Sequence, residues 1–122
     1  MRAALDKSEL RIENYKTLAL GSGEAGKYIA WNLGSTGRKT ALVERRYIGG
    51  SCPNIACLLS KNVIHSAKVA HLASQAAAYG LDVGEPGVDM GVVRGRKRTM
   101  VDGLIEASKD RFANSGVDLV LG

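Results

Sequence analysis

Residues 17–44 read TLALGSGEAGKYIAWNLGSTGRKTALVE, and the order of apolar and glycine-rich pieces in this stretch decides the fold. The apolar run TLAL stops at glycines, as a short strand does on entering a turn. In EAGKYIAWNLG, Ala25, Ile29, Ala30 and Leu33 fall at helical spacing, and Gly34 and Gly37 close the segment. A second apolar run, TALV, ends on Glu44. Two strands joined through a helix lie parallel, which predicts an α/β, Rossmann-like parallel sheet.

Gly21, Gly23 and Gly26 form G-S-G-E-A-G between the first strand and the helix. The pattern alone is weak, but here it stands where a dinucleotide loop requires it. The first glycine allows the tight turn, the second lets a pyrophosphate approach the backbone, and the third lets helix and strand pack closely. Unpaired amides and the positive end of the helix dipole then face the phosphates. Glu44 completes the fingerprint, because a carboxylate about 20 residues beyond the glycines can accept hydrogen bonds from both ribose hydroxyls. An acid there repels a 2'-phosphate. The fingerprint by itself does not distinguish FAD from NAD.

The next feature is GGSCPNIACLLSKN, residues 49–62, with Cys52 and Cys57 five positions apart. On a regular helix that spacing gives about 7.5 Å of rise and divergent directions, so a disulfide needs a bend. Pro53 pushes Cys52 toward an extended conformation and suits the first helical position, while Gly49 and Gly50 free the approach. The expectation is Cys52 at the start of a long helix and Cys57 about a turn inside a distorted opening. A helix N-terminus lowers a thiol pKa and favours exchange. A zinc site needs about four ligands, and His65 and His71 lie six apart on different faces of one helix. Inert thiols in a core are the plainer alternative to a redox pair. Of the three readings the redox pair is preferred, and no metal site is expected.

Composition bounds the rest. The 122 residues, 45% hydrophobic and 24% charged, describe an ordinary globular domain with one core. The opening MRAALDKSELR lacks the apolar centre of a signal peptide, and nothing approaches the roughly 18 apolar residues of a membrane span. A cytoplasmic location without membrane contact follows as the expectation, and a reducing compartment disfavours a purely structural disulfide. The net charge of +5, with Arg94, Arg96, Lys97 and Arg98 clustered and Arg45 beside Arg46, invites a nucleic-acid reading. No aromatic platform or binding motif accompanies it, so the basic runs are read as solvated surface and no nucleic-acid partner is expected.

Residues 60–80 have sustained helix-forming composition and predict the longest helix of the chain. Residues 81–91 carry Gly84, Gly87, Gly91 and Pro86 and read as a loop. Residues 98–115 suit a second helix, with Met100, Val101, Leu104, Ile105 and Phe112 on one face. The closing GVDLVLG reads as a strand.

GSGEAG, then VERR, then GGSCPNIACLLSKN resembles the start of the FAD-dependent pyridine nucleotide-disulfide oxidoreductases, the family of glutathione reductase, lipoamide dehydrogenase and mercuric reductase. The wording of the cysteine motif is most similar to mercuric-reductase-like members. The resemblance implies that Gly21, Gly23 and Gly26 hold the FAD pyrophosphate and Glu44 the adenosine ribose. Ser22, Glu24, Ala25, Arg45, Gly50 and Ser51 complete the implied cofactor-binding set. Cys52 would be the interchange thiol, Cys57 the charge-transfer thiolate against the flavin, and Lys61 would sit near the flavin's reactive nitrogen. Leu59 stands where the family usually has proline, which restores a backbone donor to the early helix.

The resemblance covers residues 15–122 after a lead-in of 1–14, and it implies only the N-terminal part of an FAD domain. Family members bind NADPH or NADH on a later domain and complete the active site with a histidine from the partner subunit, so a homodimeric parent is implied. His65 and His71 lie in the wrong region to replace that histidine. The expected activity passes electrons from NAD(P)H through FAD to a Cys52–Cys57 disulfide and on to a small-molecule disulfide, dithiol or metal-ion substrate. The alternative is a catalytically incomplete dinucleotide-binding or interaction module. A half-domain with uncovered sheet is also expected to self-associate.

Overall fold

The computed structural model describes residues 13–122, so nearly all of the expected lead-in lies outside the described residues. Three strands form one parallel sheet in the order β1 (Thr17–Leu20), β2 (Thr40–Glu44), β3 (Val117–Leu121). Thr17 pairs with Thr40 and Thr40 with Val117, and the register continues to Leu20, Val43 and Val120. Helix α1 (Glu24–Ser35) is the crossover between β1 and β2. The expected strand, helix and strand over residues 17–44 form as read.

Central β2 is the most buried strand, as a parallel strand with neighbours on both sides should be. Side chains alternate across the sheet, so Ala19, Leu42 and Leu119 share one face. That face carries α1 and α4 (Met90–Asn114), and the core lies between them: Ala30, Trp31, Leu42, Ile48, Phe112 and Val117. Phe112 packs on Trp31 with ring centroids 5.1 Å apart. Leu18, Leu20 and Val120 on the opposite face are 59%, 79% and 46% exposed. Among the described residues, helices clad only one side of the sheet, whereas a doubly wound sheet has helices on both.

Several helix expectations are corrected. The longest helix is α4, with 25 residues, not the helix after the cysteines. It begins at Met90 rather than near residue 98, because Asp89 Oδ1 accepts from the amides of Gly91 at 2.7 Å and Val92 at 3.1 Å. The helix after the cysteines, α3 (Cys57–Ser74), stops short of residue 80. A separate 3-10 turn, Ala76–Tyr79, then ends at Gly80 in the left-handed conformation.

The cysteine segment also differs from the expectation. A four-residue helix, α2 (Ser51–Asn54), holds Cys52, and the chain breaks at Ile55 and Ala56 before Cys57 opens α3. Cys52 is therefore helical rather than extended. Pro53 occupies the third helical position, not the first; the amides of a first turn have no intrahelical partner, so proline there sacrifices no bond. No residue of α3 is buried. Its attachment to α4 includes Arg96, which donates to the Asn62 carbonyl at 2.7 Å and to Ser66 Oγ at 2.6 Å.

Candidate functional site

The site lies at the carboxyl ends of β1 and β2, where open parallel sheets bind ligands. Gly21 leaves β1 with φ +88°, and its amide donates to the Val43 carbonyl at 2.7 Å. A side chain on Gly26 would collide with the Gly21 carbonyl oxygen, so only glycine lets α1 start this close to the strand. A side chain on Gly23, by contrast, would meet nothing within 4 Å. That is the open space a pyrophosphate cradle needs. No side chain caps α1, so its first amides remain available to an outside anion.

Glu24 sits in the first turn of α1, where a carboxylate competes with a phosphate. Lys27 Nζ, itself buried, holds Glu24 at 2.6 Å and offsets its charge. Ala25, Arg45, Ser51 and Lys61 are exposed and impose no steric barrier around the loop.

Glu44 is buried and both its oxygens are in use. Oε2 accepts from the Ser22 amide at 2.8 Å and the Ser22 hydroxyl at 2.6 Å. Oε1 accepts from the amides of Arg46 at 2.8 Å and Tyr47 at 3.1 Å. Burial alone pushes the carboxyl up, but these donors outweigh it and hold the pKa down at about 2. Four donors fill the roughly four acceptor positions of a carboxylate. A ribose hydroxyl reaching Glu44 has to displace one of them.

Gly50, φ +75°, is the hinge between this network and the cysteines. A β-carbon there would lie 2.6 Å from Gly23 Cα, so residue 50 rests directly on the glycine loop. Asn54 Nδ2 donates to the carbonyls of Ile48 at 2.9 Å and Gly50 at 2.7 Å, tying α2 back to the same turn. Sequence reasoning missed Asn54 and Tyr47, because contacts reaching back four to six residues depend on a turn that no local pattern announces.

Cys52 is half-buried and Cys57 exposed, and both are free thiols. Cys57 is the largest influence on the Cys52 thiol, so the bend at Ile55 and Ala56 leaves the two side chains near one another. The Cys57 side chain, then burial, pushes the Cys52 thiol up; Glu24 adds to the rise and Lys61 opposes it. The lowering expected from a helix N-terminus is thus overridden at Cys52 by its neighbour. Gly50, two residues before Cys52, rests on Gly23, which brings the start of α2 close to the start of α1. Among the described residues, no cluster of three or more His, Cys, Asp or Glu side chains could hold a metal ion, and no helix is long and apolar enough to cross a membrane.

The sequence was compared with known proteins. The dihydrolipoyl dehydrogenase of Pseudomonas aeruginosa is 36% identical over 109 residues, which cover 86% of this chain and 23% of that protein. That of Zymomonas mobilis is 31% identical over 110 residues, covering 90% and 24%. Among solved structures, the Cu(II) complex of the HOCl-induced flavoprotein disulfide reductase RclA from Escherichia coli superposes with a TM-score of 0.73 at 25% identity, over 91% of this chain and 22% of that one. The chain spans about a quarter of the length of these relatives. The profile of the pyridine nucleotide-disulphide oxidoreductases matches residues 15–122, and with the paired cysteines beside the glycine loop this shows that the chain belongs to that family.

Proposed function

We propose that this chain is the dinucleotide-loop and dithiol portion of a flavoprotein disulfide oxidoreductase, with FAD lying over the Gly21–Gly26 turn and Cys52 and Cys57 as its redox pair. The observation that carries this reading is an open, uncapped glycine loop with Gly50, two residues before Cys52, resting on it, and a second free thiol close enough to influence Cys52. Bound FAD would supply two-electron transfer from NADPH or NADH. The amides at the start of α1 bind the pyrophosphate, and Glu44 receives the ribose by exchanging one protein donor for a hydroxyl. Cys52 and Cys57 take up two electrons and two protons as their disulfide opens to two thiols.

Cys52, the thiol with the raised pKa, meets the substrate, and Cys57 faces the flavin. Lys61 favours the thiolate at Cys52 and balances negative charge at the cofactor. The substrate is a small-molecule disulfide or a soft metal ion, since two adjacent sulfurs serve either. The nicotinamide site lies in sequence that this chain does not share with its longer relatives, and the parent is a homodimer acting in the cytoplasm.

A second reading rests on the bare sheet face and the quarter-length match. It makes the chain a dinucleotide-binding module that does not turn over alone. Purified protein mixed with FAD separates the two. Retained yellow colour, a long-wavelength charge-transfer band on partial reduction, and loss of two hydrogens by intact mass on oxidation support the redox assignment. Flavin uptake without any Cys52–Cys57 disulfide supports the binding module, and a colourless protein with no disulfide overturns the proposal.

A further inference from the structure

We propose that Ser22 is a positioning residue: its hydroxyl fastens the loop that carries Cys52 onto the glycine turn, and so sets how readily Cys52 and Cys57 form a disulfide. Ser22 is completely buried. Its hydroxyl is 2.6 Å from Glu44 Oε2 and 3.1 Å from the Tyr47 carbonyl oxygen, and it accepts the Gly49 amide at 2.9 Å. One hydroxyl has one proton, and the nearer, charged acceptor takes it. Tyr47 loses nothing by this, because its carbonyl already receives the Gly50 amide at 2.8 Å. Ser22 thereby joins three pieces of chain: the turn after β1, the acid that ends β2, and the loop into α2.

Everything between Ser22 and Cys52 is short and closely packed. Gly49 is buried, and a side chain there would come within 3.1 Å of Pro53. Gly50 rests on Gly23, and Asn54 grips the carbonyls of Ile48 and Gly50. Removing the Ser22 oxygen leaves the buried Gly49 amide without an acceptor and takes one of four donors from Glu44. A buried amide without a partner seeks water, so the loop must move outward and Cys52 moves with it. The effective concentration of one sulfur at the other then falls.

This inference rests on the redox reading of the cysteine pair, and it is tested on the flavin-free chain. The step measured is exchange with glutathione: the Cys52–Cys57 bond breaks, two glutathione thiols are oxidised to one glutathione disulfide, and two protein thiols form. Ser22→Ala is expected to shift the glutathione ratio at half-oxidation at least about fivefold toward the dithiol. Ser22→Thr, which keeps the hydroxyl, is expected to recover most of that shift. Ser74→Ala, which deletes an exposed hydroxyl bonded only to the His71 carbonyl, is expected to leave the ratio in place. An unchanged ratio in folded Ser22→Ala, or an equal shift in Ser74→Ala, overturns the proposal.

Should Ser22→Ala not fold, or the wild-type chain form no disulfide, hydrogen exchange at the Gly49 amide of the wild-type protein decides. Protection of about a hundredfold or more supports the clamp, and exchange at the rate of an open loop overturns it. FAD uptake by the wild-type chain is scored separately, so failure of flavin binding and failure of the clamp read out differently.

Discussion

The carboxyl end of the sheet and the helix that begins at Cys57 are held in opposite ways. Around Ser22 and Glu44 the polar groups are buried and multiply bonded, and Gly50 touches Gly23 with no room for a side chain. Along α3 no residue is buried, and Ile64, Val69 and Leu72 stand 52%, 53% and 63% exposed. The glycine-loop end is therefore self-supporting, whereas α3 presents apolar surface that little among the described residues covers. On the proposed reading, in which the loop holds a phosphate and a substrate reaches a sulfur, that division is useful, since rigid loops position charge and open helices admit partners.

The contrast can be broken first in the core between α1 and α4. Phe112→Ala empties the space against Trp31 and is expected to remove about 3–5 kcal/mol, enough to unfold the chain, by urea denaturation followed through the single tryptophan. Gly50→Ala places a β-carbon on Gly23 at a left-handed backbone position. A loss of about 2–3 kcal/mol is expected in the same assay; a loss below about 0.5 kcal/mol would show that the loop yields easily.

Acid titration sharpens the same side of the comparison. The folded pKa of Glu44, about 2, lies below its ordinary value of 4.5, so its contribution is complete above that value and is lost as the pH falls from 4.5 toward 2. The expected loss is about 2 kcal/mol, less than the full shift converts to because water reaches the carboxylate edge. Glu44→Gln should flatten this limb of the pH–stability curve, and a curve unchanged by that substitution would remove Glu44 as its source.

On the other side, Leu72→Ser is expected to change stability by less than about 0.5 kcal/mol. It should reduce self-association in sedimentation experiments, as should Leu20→Lys on the bare sheet face. A destabilisation at Leu72 matching that at Phe112 would mean that α3 belongs to the core after all.

These differences also mark what could be read without coordinates. The β1–α1–β2 unit was legible because its apolar period changes from strand to helix and back between glycines, and local pattern and tertiary packing agree there. The basic run from Arg94 to Arg98 reads as solvated surface, and its arginines are exposed; what the sequence did not assign is that the run is helical, since the Asp89 cap starts α4 before it and Arg96 anchors it to α3. Cys52 and Cys57 were legible as a pair but not as residues of two helices. The break between them depends on how Asn54 and Gly50 fold back onto the glycine turn.

Alone, the sequence determined the chemistry on offer: an open glycine turn, an acid at the end of the next strand, and two cysteines whose spacing demands a bend. Tertiary structure decided how these are connected. Ser22 reads as one more residue of a phosphate loop until the fold brings residues 44, 47 and 49 to its hydroxyl, and Glu44 reads as a free ribose acceptor until four protein donors occupy it. Local periodicity reports which face of an element is apolar. A hydrogen bond across more than 20 residues reports only where the chain has already been folded.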